Sequence, residues 1–73
     1  MGKPTKVTNQ IRHLRFASGE MTQADLARRV GVTRQTVIAI EQGKYSPSLE
    51  VAFLMARTFG VSVEDVFQYP EAN

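Results

Sequence analysis

Residues 31–44 read "GVTRQTVIAIEQGK", and the order of residue types inside this stretch governs how the rest of the chain is read. Gly31 stands where a helix would end, because only glycine enters the left-handed backbone conformation without steric penalty. Thr33 has the side chain of an N-cap, and Val37 and Ile40 follow at helical spacing, which predicts a helix over residues 34–42 that Gly43 stops. Its leading turn carries Arg34 and Gln35, where helices usually place acidic or small residues. Arginine can bond guanine bidentately and glutamine can bond adenine, so this turn is a candidate reader of base edges.

Upstream, "TQADLARRV" (22–30) has Thr22 as N-cap, Asp25 in a capping-box position and a core stripe of Leu26, Ala27 and Val30. The short turn "VGVT" would hold this helix and the next at roughly 90–120°, leaving the second one protruding. A protruding helix of that kind fits the major groove of B-DNA. Further out, "NQIRHLRFAS" (9–18) places Ile11, Leu14 and Ala17 or Ser18 at helical spacing, with Asn9 as N-cap and Gly19 as the stop. Downstream, Pro47 in "KYSPS" disfavours helix at Ser46, and Ser48 caps "LEVAFLMARTF". Apolar residues surround much of that fourth helix, which predicts burial on more than one side. Gly60 closes it, Ser62 caps a short fifth helix through Val63 to Val66, and Pro70 marks the end of order. The expected fold is all-α with five helices, and the β-prone flanks "TKVT" (5–8) and "FQY" (67–69) can pair as a small ribbon.

Seventy-three residues make one domain, in which residues 8–69 form the core, 22–42 the helix-turn-helix, and 1–5 and 70–73 flexible ends. A chain this size buries only about 60% of its unfolded surface. With no cysteine there are no disulfides, thiolate nucleophiles or cysteine zinc sites, so further stability must come from helix packing or a partner subunit. No apolar run approaches the roughly 20 residues of a membrane span, and "MGKPTKVTNQ" has no hydrophobic signal core, which predicts a soluble, cytoplasmic protein. Charge is uneven along the chain. Residues 1–44 carry eight Lys and Arg against Glu20, Asp25 and Glu41, whereas residues 45–73 carry Arg57 against Glu50, Glu64, Asp65 and Glu71. A basic front suggests an anionic partner. His13 is the only histidine, more readily a surface or packing residue than a ligand, and no group of donors suggests a metal. Nothing resembles a catalytic triad, and so small a helical domain has little room for an enclosed pocket. No enzyme activity, cofactor or small-molecule effector is expected.

Joined together, "TQADLARRVGVTRQTVIAIEQGKYSPSLEVAFLMARTFGVSVEDVF" (22–67) resembles the XRE, or Cro/CI-like, helix-turn-helix family of regulators, and the likeness extends over residues 8–69. It implies a lambda-repressor-like fold and binding to double-stranded DNA. Within the family the chain most resembles small stand-alone repressors such as the cytolysin-operon repressor of enterococci, whose ends form a β-ribbon, and this implies a homodimer. Carried over, the resemblance makes Gln23 a phosphate ligand at the start of the second helix. Thr33, Arg34, Gln35 and Thr36 open the recognition helix, with Arg34 and Gln35 reading bases and Thr33 and Thr36 touching phosphate. Ile38 and Ala39 lie on its exposed side against thymine methyls, and Lys44, Tyr45 and Ser46 approach the backbone. Tyr45 is equally readable as a packing residue under its loop. Arg15 and Glu41 match a buried ion pair that fixes the reading helix. The chain departs from the family in "RFASGEMTQ", one residue longer than is common between that Arg and Gln23. Dimer contacts are expected from Val7, Val63, Val66, Phe67 and Tyr69. The reading is a repressor on an inverted-repeat operator. Its competitors are the antitoxin of a toxin–antitoxin pair, a protein-interaction module without DNA binding, and an RNA binder, which the deep, narrow A-form groove disfavours.

Overall fold

Among the described residues, four of the five helices begin on a hydroxyl side chain that accepts a backbone N–H three residues ahead: Thr22, Thr33, Ser48 and Ser62. The structure is a computed structural model that describes residues 5–70. In chain order its elements are β1 (Thr8–Asn9), α1 (Ile11–Ala17), α2 (Gln23–Val30), α3 (Arg34–Glu41), α4 (Leu49–Phe59), α5 (Val63–Val66) and β2 (Phe67–Gln68). Thr22 and Asp25 close a reciprocal capping box, and Ser62 and Asp65 close a second one. The N–H groups of Val32, Lys44 and Val61 each reach back to a carbonyl five residues earlier, those of Ala27, Ala39 and Ala56, all at 3.0 Å. This bond returns the chain sharply at the ends of α2, α3 and α4.

The start of α1 differs from the expected one. Asn9 lies in β1, and Gln10 occupies the capping position without a side-chain bond. The Asn9 carboxamide is used across the fold: Oδ1 accepts Ile11 N–H at 3.2 Å, while Nδ2 donates to the carbonyls of Ile40 (3.0 Å) and Glu41 (3.4 Å). It therefore satisfies C-terminal carbonyls of α3 rather than capping α1 alone. The ribbon is antiparallel and shorter than the β-prone flanks, pairing Thr8 with Gln68 and Asn9 with Phe67. Of the ends expected to be flexible, residues 1–4 and 71–73 lie outside the described residues. Thr5 is tied down, its N–H donating to Gly43 O at 3.3 Å.

Ile11, Leu26, Val37, Met55 and Val66 are the largest fully enclosed side chains. Val66 was expected at a dimer surface and instead has 0% exposure. The reason is the shortness of α5: its last residue closes the core beneath the ribbon, where Val66 O accepts Gln10 N–H at 2.8 Å. The fourth helix also departs from expectation. It packs against α2 and α5 through Ala52, Met55 and Ala56, while Leu49 and Phe53 stay 72% and 53% exposed. Among the described residues α2 and α5 supply the main packing of this helix, and its other side stays exposed.

Candidate nucleic-acid interface

The Arg15 guanidinium, on α1, ties three parts of the molecule together. Its Nε donates to Glu41 Oε2 at 2.8 Å and Nη2 to Glu41 Oε1 at 3.2 Å, while Nη1 donates to Met21 O at 2.9 Å. Both side chains of the pair are about nine-tenths buried. Their mutual bonds offset a desolvation cost that either charge alone would meet unpaired. Gln23, the first residue of α2, extends the cluster by donating to Glu41 Oε1 at 3.4 Å. The last turn of α3 is therefore anchored to α1 and to the front of α2. The extra residue in "RFASGEMTQ" does not disturb this, because Gly19 and Glu20 both adopt positive φ (79° and 57°) and return the chain in time for Met21. Met21 N–H itself donates to Arg15 O at 2.9 Å.

With its far end held, α3 presents its leading turn to solvent. Thr33, Arg34 and Gln35 are exposed and Thr36 is half-buried. Thr33 Oγ1 accepts Thr36 N–H at 3.1 Å and lies 2.9 Å from the Thr36 hydroxyl, so the two threonines brace each other. Neither α1 nor α3 has an acidic residue in its first turn, whereas α2, α4 and α5 have Asp25, Glu50 and the pair Glu64 and Asp65. The N-terminal end of α3 therefore keeps its positive dipole unneutralised beside Arg34, an arrangement that attracts anions. Asp25, at the front of α2, is held below the usual carboxylate range by bonds from the Thr22 hydroxyl and N–H and by the neighbouring Arg28.

Several expected contacts change in detail. Ile38 is half-buried, but Ala39 is only 8% exposed and so is removed from the base-reading surface. The chain after α3 folds back on that side, with Lys44 N–H bonded to Ala39 O. Lys44 is exposed, and Tyr45 packs its ring against the core. Ser46 donates its hydroxyl proton to Thr5 Oγ1 at 2.8 Å, which leaves its backbone N–H as the group it can offer a phosphate. Of the residues expected at a dimer surface, Val7, Val63 and Phe67 are half-buried and Tyr69 is 67% exposed.

An open groove runs between α1, the start of α2 and one side of α3. It brings Arg34, Gln23 and Glu41 together with Arg12, His13 and Phe16. These last three were not singled out as site residues from sequence. The Arg12 guanidinium lies 5.6 Å from the Phe16 ring centre and that of Arg15 lies 5.5 Å from it, so the half-exposed ring organises two cations. The spacing of Arg12 and Phe16, one helical turn apart, was the available signal. For the bonds from Asn9 to the end of α3 there was none, since those partners lie more than thirty residues away.

A family model described as helix-turn-helix, HTH_3, matches residues 12–66. An uncharacterized HTH-type transcriptional regulator of Methanocaldococcus jannaschii is 52% identical over 63 residues, spanning 86% of this chain and 94% of the archaeal one. The transcriptional repressor RstR of the cryptic phage CTXphi, from Vibrio cholerae, is 32% identical over 66 residues, which span 90% of this chain and 59% of RstR. Among solved structures, the hypothetical transcription factor NHTF from Neisseria is similar with a TM-score of 0.69 at 31% identity, covering 75% of this chain and 61% of its own. These relatives support the family and not the finer likeness to the enterococcal cytolysin-operon repressor. They are transcriptional regulators rather than enzymes. From the residues matched and the braced, outward-facing α3, the chain belongs to the HTH_3 helix-turn-helix family of DNA-binding transcriptional regulators.

Proposed function

We propose that the protein is a cytoplasmic repressor that binds an inverted-repeat operator as a homodimer, with residues 8–69 as its single functional domain. The observation that carries this is the exposed, acid-free leading turn of α3, clamped at its other end by Arg15, Glu41 and Gln23. Arg34 and Gln35 read base edges, with Ile38 beside them for a thymine methyl. Gln23, Thr33, Thr36, Lys44, Tyr45 and the Ser46 N–H meet phosphates, which position the helix without reading sequence. The name of RstR supports repression as the outcome. Among the described residues no helix is long and apolar enough to cross a membrane, in keeping with a cytoplasmic site of action. In a dimer the two reading helices sit about 34–36 Å apart, one turn of DNA. Repression then follows from covering promoter DNA.

The test is selection from a randomised duplex pool at two salt concentrations, with the Arg34→Ala/Gln35→Ala protein run in parallel. The expected result is a two-fold symmetric site that the double variant no longer selects. Selection of the same site by the variant would overturn the assignment of base reading to α3.

A further inference from the structure

Between α4 and α5 the surface forms an apolar notch walled by Phe53, Ala56, Val61 and Val63, with Arg57 and Glu64 at its edges. We infer that this notch is where a second copy of the chain docks about a two-fold axis. Phe53 of each copy enters the partner copy's notch, and Arg57 of each pairs with Glu64 of the other. The inference rests on the homodimer reading above and assigns it a surface.

Three observations lead to it. Phe53 is 53% exposed and Leu49, one helical turn earlier, is 72% exposed, so α4 carries an uncovered apolar stripe that runs into the notch. Arg57 continues the stripe by one more turn and is the only Lys or Arg after Lys44, a lone cation in an otherwise acidic stretch. Arg57 and Glu64 are both exposed, and the ion pairs among the described residues are those of Arg15 with Glu41 and of Arg28 with Asp25, so neither is matched among the described residues. A two-fold interface must be self-complementary, because residue i meets j wherever j meets i. An apolar notch edged by one cation and one anion meets that condition twice in one contact, and its apolar centre with a charged rim is the usual anatomy of an interface. A large aromatic anchor entering a pocket is the kind of contact that dominates binding energy. The enclosed Val66 contributes nothing to such a contact, so the interface moves from the ribbon toward α4.

Sedimentation equilibrium on the whole chain tests this, with circular dichroism to verify folding of each variant. Wild type is expected to be a dimer. Arg57→Glu and Glu64→Arg should each weaken dimerisation by about tenfold or more, since each sets like charges against each other. The double reversal should recover wild-type association to within about threefold, because it restores opposite signs across the axis. Phe53→Ser should dissociate the dimer with helicity retained. A dimer insensitive to the single reversals, or a double variant no tighter than the weaker single one, overturns the assigned surface while leaving dimerisation intact. A wild-type monomer overturns both this inference and the dimeric reading, and leaves the DNA-pool selection to judge α3 by itself.

Discussion

Residues 27–33, "ARRVGVT", and residues 56–62, "ARTFGVS", turn the same corner and lead to different ends. In each, a glycine at φ 76° or 70° ends the helix, and a valine N–H returns 3.0 Å to the alanine carbonyl five residues back. In each, a hydroxyl then caps the next helix, accepting Thr36 N–H at 3.1 Å or Asp65 N–H at 3.2 Å. Beyond the cap the two diverge. The first corner opens an eight-residue helix led by Arg34 and Gln35, and the second a four-residue helix led by Val63, Glu64 and Asp65. Acids at the start of α5 satisfy its dipole internally, whereas α3 leaves its own to be satisfied from outside. The same backbone device thus yields a surface for a polyanion in one place and a helix stabilised by its own side chains in the other.

The largest expected effect is on the brace that only the first corner has. Glu41→Ala should lower unfolding free energy by about 3–5 kcal/mol, because it leaves Arg15 buried and unpaired. Urea denaturation measures this, and Arg15→Met/Glu41→Leu should lose much less. Giving the first corner the charge of the second is the next test. Arg34→Glu should cost operator affinity about 100-fold or more by turning attraction into repulsion, while the melting temperature holds or rises as α3 gains an acid at its start. Affinity by fluorescence anisotropy and a thermal melt, read together, separate the two roles.

Smaller changes probe what the corners share. Gly31→Ala and Gly60→Ala should each cost about 1–2 kcal/mol, because both positions hold a left-handed backbone that a Cβ strains; open space around both means that crowding adds nothing. Unequal losses in denaturation would show that the corners are less alike than their backbones. Thr33→Ala and Ser62→Ala should each cost about 1 kcal/mol through the lost cap. The smallest effect concerns Asp25 at the front of α2, whose carboxyl is held below its usual range by Thr22 and then Arg28. A depressed pKa contributes stability that is present above the ordinary aspartate value and is lost as pH falls through the lower folded one. The gap in melting temperature between wild type and Asp25→Asn should therefore be open at neutral pH and close in strongly acidic buffer.

What could be read from sequence was local. Thr22, Thr33, Ser48 and Ser62 each announce a helix start, and Gly31, Gly43 and Gly60 each announce an end, because capping and left-handed turns involve residues within about five positions of each other. The helix order, the corner before α3 and the candidacy of Arg34 and Gln35 follow from that. Tertiary structure decided what depends on distant partners. Asn9 spans 31 residues to hold the end of α3, whereas the Arg15–Glu41 pair, 26 residues apart, was expected through the family resemblance and not from any local pattern. Ala39 and Val66 are enclosed because other segments close over them, while Phe53 remains outside because, among the described residues, no segment closes over its side of α4. Periodicity identifies an apolar face, but which apolar residues are buried depends on how many neighbouring layers the whole chain can supply.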